Sequence, residues 1–177
     1  SWNSTWAIIS GGCSRESAIS HSRHRSVRNR PWTRFLMKIA FLDDHPQLAE
    51  TFANMIRKSF PDAAIDCHGG WEDLEPVLVG NQYDILFLDM RLDDCLGAEL
   101  IPAIREASPN TRIIVLSAFA QQDLLLKCLN MGIAGYISKT SPVELLSQAI
   151  RSVIDGGTFF DETLRLESGD AENTERH

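Results

Sequence analysis

From residue 37 onward, short apolar runs alternate with longer stretches in which apolar residues recur every three or four positions. Residues 38–42 (KIAFL) predict a buried strand that stops at Asp43-Asp44-His45-Pro46. Residues 47–60 follow with Leu48, Phe52, Met55, Ile56 and Phe60 at helical spacing, and Pro61-Asp62 breaks the pattern. A short strand is expected at 64–68, a turn at Gly69-Gly70 and a short helix over 72–79, with Trp71 as a packing residue at its start. Residues 84–88 (DILFL) predict a second strongly apolar strand, again stopping on an acid, Asp89. A helix over 98–107 tolerates Pro102 because it lies near the start, where a missing N–H matters little. The run 112–116 (RIIVL) predicts a strand ending on Ser117, and 121–131 a helix closed by Gly132. A strand over 133–138 stops at Lys139. Ser141-Pro142-Val143-Glu144 then reads as a capping box with proline at the first helical position, opening a helix to about Ile154 that ends at Gly156-Gly157.

These are five strand–helix units whose strands are continuous rather than alternating in apolar character. Such strands are buried on both faces, which predicts an α/β fold with a doubly wound parallel sheet covered by helices on each side. The organisation expected is a basic leader over 1–36, one domain over 37–160 and a polar tail or linker over 161–177.

Charge sharpens this division. The net charge of −7 hides a leader with six arginines against Glu16, and a remainder with 11 basic and 23 acidic side chains. An acidic body argues against direct nucleic-acid binding by the folded part. The leader is compatible with nucleic-acid contact, with a targeting peptide or with no role, and Met37 is read as the natural start. No apolar run approaches the ~18 residues of a membrane-spanning helix. Cys13, Cys67, Cys95 and Cys128 lack the spacing of a zinc site or a disulfide framework, and reduced thiols fit a cytoplasmic protein.

In doubly wound sheets, ligands bind beyond the carboxyl ends of the strands. The residues there are Asp43, Asp44, Asp89, Ser117 and Lys139. Taken alone, each has a plain reading: acids at a helix start, a turn aspartate, a solvated lysine. Together they place three carboxylates, a hydroxyl and an ammonium at one mouth. Clustered carboxylates repel, a hard cation such as Mg²⁺ relieves the repulsion, and a lysine supplies a point charge for a phosphoryl oxygen. His45 is read as a solvent-facing residue beside the acidic pair, without partner ligands at matching spacing.

At this point the chain resembles the receiver domains of two-component response regulators, through LDDHP at 42–46, LDMRLDDCLG at 88–97, VLSA at 115–118 and GYISK at 135–139. DDHP, and GYISK without a following proline, are similar to the subfamily that carries a LuxR-type helix-turn-helix. The resemblance implies a flavodoxin-like five-stranded sheet of order 2-1-3-4-5 with five helices. It implies that Asp89 is the phosphoacceptor, that Asp43, Asp44 and the Arg91 backbone carbonyl join Asp89 in holding Mg²⁺, and that Lys139 contacts the phosphoryl group. Ser117 would be the switch hydroxyl and Tyr136 its aromatic partner. A histidine kinase or phosphotransfer protein would be the donor. The switching face would comprise the fourth helix, fifth strand and fifth helix, with homodimerisation through that face or through the first and fifth helices. Leu124, Leu125, Leu126 and Leu129 would add apolar area to it. The implied role is a signalling switch that phosphorylates and dephosphorylates itself, not a turnover enzyme.

Two departures stand out. Asp93 occupies a position where the family usually has proline, and Asp94 follows it. Only 17 residues follow Phe160, so no helix-turn-helix output domain is expected in this chain. A haloacid-dehalogenase-type phosphatase would need DxDx(T/V) after the first strand, which LDDHP does not supply. A degenerate receiver acting as a phosphorylation-independent interaction module stays open, because Asp93 replaces the proline.

Overall fold

The computed structural model of the protein describes residues 36–118 and 122–161. The leader, apart from Leu36, and the tail beyond Asp161 lie outside the described residues. Eleven elements follow in order: β1 (Lys38–Leu42), α1 (Pro46–Ser59), β2 (Ala64–His68), α2 (Trp71–Asn81), β3 (Ile85–Asp89), α3 (Gly97–Ala107), β4 (Arg112–Ser117), α4 (Gln122–Asn130), β5 (Gly135–Ser138), α5 (Glu144–Ile154) and β6 (Phe159–Phe160). The strands form one sheet of order β2-β1-β3-β4-β5-β6, parallel throughout.

The continuous apolar runs are explained by burial of alternate residues on opposite faces. Ile39, Phe41, Ile85, Phe87, Ile114, Leu116 and Ile137 pack with Phe52, Ile56, Ile150 and Val153 of α1 and α5. Ala40, Leu42, Leu86, Leu88, Ile113, Val115 and Tyr136 pack on the other face with Leu74, Leu78, Ile101, Ile104 and Cys128 of α2, α3 and α4. Phe41 and Phe87 are register partners whose rings stack at 4.7 Å between centroids, an arrangement that stabilises by about 1 kcal/mol beyond area burial. β1, β3 and β4 form the buried centre, whereas β2 is a half-exposed edge.

Three expectations need correction. The sheet has six strands, not five: Phe159-Phe160 lies parallel to β5, with the Phe159 N–H donating to the Ala134 carbonyl at 2.9 Å. Gly135 makes room for it, since a Cβ there would stand 2.8 Å from the Phe159 carbonyl oxygen. Asp161, expected to open a polar tail or linker, is buried, and its N–H donates to the Tyr136 carbonyl at 3.0 Å. The capping box does not form. α5 begins at Glu144 after Val143, which lacks a side-chain cap, and the Ser141 hydroxyl donates instead to the Asp161 carboxylate. A buried carboxylate has the stronger claim on a nearby donor than solvated helix N–H groups. The first turn tightens instead, with Leu145 N–H bonded to Pro142 and Leu146 N–H to Val143.

Candidate functional site

The carboxyl ends of β1, β3 and β5 meet around one ammonium group. Asp43 leaves β1 and is pinned by its N–H donating to the His68 carbonyl of β2 at 3.1 Å. Asp89 is the last residue of β3, and both carboxylates are nearly inaccessible. Lys139, just past β5, donates from Nζ to Asp43 Oδ2 at 2.6 Å and to Asp89 Oδ2 at 2.7 Å. Its backbone N–H donates to the Ser117 carbonyl at 2.7 Å, which ties the lysine to the end of β4. Joining residues 43, 89 and 139 in this way requires the parallel sheet itself.

The remaining carboxylate oxygens are also engaged. Asp43 Oδ1 accepts the His45 backbone N–H at 2.9 Å, and Asp89 Oδ1 accepts the Arg91 N–H at 3.1 Å. Burial raises the Asp89 pKa, opposed by the Lys139 hydrogen bond and the Arg91 N–H. Gly97 permits the tight return of the loop behind Asp89: a Cβ there would fall 2.0 Å from the Asp89 carbonyl oxygen.

Asp44 is at the rim, and its Oδ1 lies 2.7 Å from Nδ1 of His45. That bond is the largest of the causes raising the His45 pKa. Asp93 is exposed with a raised pKa, first because its carboxyl shares a hydrogen bond with that of Asp44. The residue standing in place of proline therefore adds an acid to the rim. One ligand atom from each of Asp43, Asp44, His45 and Asp89 lies within 4.8 Å of the others.

The structure thus brings Asp43, Asp44, Asp89 and Lys139 together, with the Arg91 backbone beside Asp89. Ser117 is buried at the end of β4 and joins through its backbone bond to Lys139. Tyr136 is wholly buried in the core, its hydroxyl lacks a well-formed hydrogen bond, and burial raises its pKa against an opposing influence from Ser117. His45 was expected to face solvent, and it does, but its ring also engages Asp44. The only sequence signal for that contact is adjacency in DDHP. Asp161 was missed because nothing in a short polar segment marks burial.

The family profile described as the response regulator receiver domain matches residues 39–151. The chain belongs to this family. As a receiver of two-component systems it is a signalling switch by family. It is 32% identical over 127 residues to the oxygen regulatory protein NreC of Staphylococcus epidermidis, spanning 71% of this chain and 58% of that protein. It is 25% identical over 134 residues to the glycerol metabolism activator of Pseudomonas putida, spanning 70% of this chain and 57% of that protein. The chain therefore spans somewhat over half the length of these relatives. Among solved structures, the receiver resembles a LuxR-family response regulator from Aurantimonas, with TM-score 0.68, 24% identity and coverage of 73% of this chain and 93% of that one. It also resembles the isolated receiver domain of RcsB from Salmonella enterica, with TM-score 0.67, 20% identity and coverage of 75% and 98%. No helix among the described residues is long and apolar enough to cross a membrane.

The family implies a divalent cation, and the donor set suits one. Three carboxylates converge where a single ammonium contacts two of them, leaving hard oxygen donors in excess of positive charge.

Proposed function

We propose that this receiver takes a phosphoryl group on Asp89 from a histidine kinase or phosphotransfer protein, in a reaction dependent on Mg²⁺. The supporting observation is the position of Lys139, whose Nζ spans Asp43 and Asp89 at 2.6 and 2.7 Å. A cation held 2.7 Å from the nucleophile can also meet a phosphoryl oxygen delivered to that carboxylate.

Asp43, Asp44, Asp89 and the Arg91 carbonyl would hold Mg²⁺. When bound, the ion supplies charge neutralisation at the phosphoryl oxygens. An Asp89 oxygen attacks phosphorus, the P–N bond of the donor phosphohistidine breaks, and its electron pair remains on the imidazole, which takes a proton. Positioning and charge compensation account for most of the protein's contribution. Ser117 would donate its hydroxyl to a phosphoryl oxygen. Its displacement would couple to Tyr136 and to the face of α4, β5 and α5, where Leu126 and Leu129 are exposed. That face is the proposed surface for a partner or a second copy, with α1 and α5 as the other candidate. The setting proposed is the cytoplasm, where such donors act.

Intact-mass measurement after incubation with acetyl phosphate and Mg²⁺ tests the proposal. The expected result is a gain of one phosphoryl group, abolished by EDTA and by Asp89→Asn. If neither acetyl phosphate nor beryllofluoride engages the wild-type protein, the receiver is an interaction module that does not take phosphate.

A further inference from the structure

We infer that His45 is a metal-selectivity residue, whose imidazole Nδ1 joins the carboxylates so that the mouth takes Zn²⁺-class cations in competition with Mg²⁺. This rests on the proposed metal site and extends it to the class of ion. His45 immediately follows the acidic pair, and its backbone is fixed at three points. Its N–H donates to Asp43 Oδ1 at 2.9 Å, while its carbonyl accepts the Leu48 and Ala49 N–H groups at 3.0 and 3.1 Å in the first turn of α1. Only the side-chain torsions are left to place the ring, and they place Nδ1 2.7 Å from Asp44 Oδ1 and 3.5 Å from Asp43 Oδ1.

Opposite ligands on a small divalent ion lie about 4.2 Å apart, twice a bond of ~2.1 Å. The four candidate ligand atoms, all within 4.8 Å of one another, therefore need only small side-chain adjustments to share an ion. A purely carboxylate and carbonyl set suits Mg²⁺, whereas adding an imidazole favours Zn²⁺ and Ni²⁺. The ring is 70% exposed, so its other nitrogen remains free to meet water when Nδ1 ligates.

The full chain, labelled with ¹⁵N, would be titrated with Zn²⁺ and with Mg²⁺ while the histidine ring nitrogens are followed by NMR and affinities by calorimetry. The His45 Nδ1 resonance should show the large shift of direct ligation on adding Zn²⁺ and only a small one, from loss of the Asp44 hydrogen bond, on adding Mg²⁺, and excess Mg²⁺ should reverse the large shift. In His45→Asn the ratio of Zn²⁺ to Mg²⁺ affinity should fall about tenfold or more, a loss of the size seen when the surroundings of a metal site are removed. The ring-nitrogen experiment on the wild-type protein does not depend on the variant's folding. Absence of the large Nδ1 shift with Zn²⁺, or an unchanged ratio in the variant, overturns the inference about His45 alone. Failure of Asp44→Asn to weaken either ion overturns instead the metal-site reading beneath it.

Discussion

The stretch 138–141 borders two buried carboxylate settings that differ in kind. On one side, Lys139 reaches Asp43 and Asp89, with Asp44 close by, so one ammonium serves a crowded acidic mouth. On the other, Asp161 accepts the Ser138 N–H at 3.4 Å and the Ser141 hydroxyl. At the exit of β6 a carboxylate gathers donors, which ties the last strand to the loop carrying Lys139. At the mouth, carboxylates are gathered against their mutual repulsion, an arrangement that costs stability and that the proposed phosphoryl chemistry would account for. The same residue type, equally buried, has neutral donors around it in one place and an ammonium with further acids in the other.

The largest effect should come from removing the exit carboxylate. Asp161→Ala strands the Ser138 N–H and the Ser141 hydroxyl, and should lower the unfolding free energy by about 1–3 kcal/mol in urea titration. Asp161→Asn, which keeps an acceptor, should lose less. Stability unchanged by the alanine variant would dissolve the contrast between the two settings.

Asp89→Asn should act in the opposite direction and raise Tm by a few degrees at neutral pH. Burial raises the folded pKa of Asp89, so the folded domain holds this proton more readily than the unfolded chain. Stability therefore falls as pH rises from the unfolded value, about 3.9, through the raised folded value, and is level above it. The variant's advantage should be absent in acid and complete at neutral pH. A Tm below that of wild type at neutral pH would mean that the mouth is a net stabiliser.

The smallest effect belongs to the β2 edge. His68 has its pKa lowered, by burial first, against the raising influence of Asp66 and Asp73, and its Nε2 lies 3.5 Å from the Tyr83 hydroxyl. A depressed histidine contributes stability above its unfolded value, near 6.5, that is lost as pH falls through the folded value. The wild-type protein should show a shallow loss in mild acid, flattened in His68→Gln. Superimposable pH profiles would remove His68 from the account.

Much of this was legible beforehand because the strands repeat one signal. KIAFL, DILFL and RIIVL each run apolar after a charged first residue since both faces are covered, and each stops on a polar residue that the topology carries to the mouth. Lys139 was readable only jointly with Asp43 and Asp89, because a lysine ahead of a helix is ordinarily solvated. The sixth strand was not legible: two phenylalanines after a glycine pair have no periodicity, and their pairing depends on the space left by Gly135. The capping box misled for a related reason. Its serine fits the local pattern, but the partner that captured it is 20 residues away.

Chemical trapping would identify the phosphoacceptor. After incubation with acetyl phosphate and Mg²⁺, borohydride would reduce any acyl phosphate to the alcohol, converting a phosphorylated aspartate to homoserine. Peptide mapping would then locate it. Homoserine is expected at position 89 and at none of positions 43, 44, 93 or 94. Homoserine at one of those neighbours, with Asp89 intact, would contradict the assignment of Asp89 as acceptor.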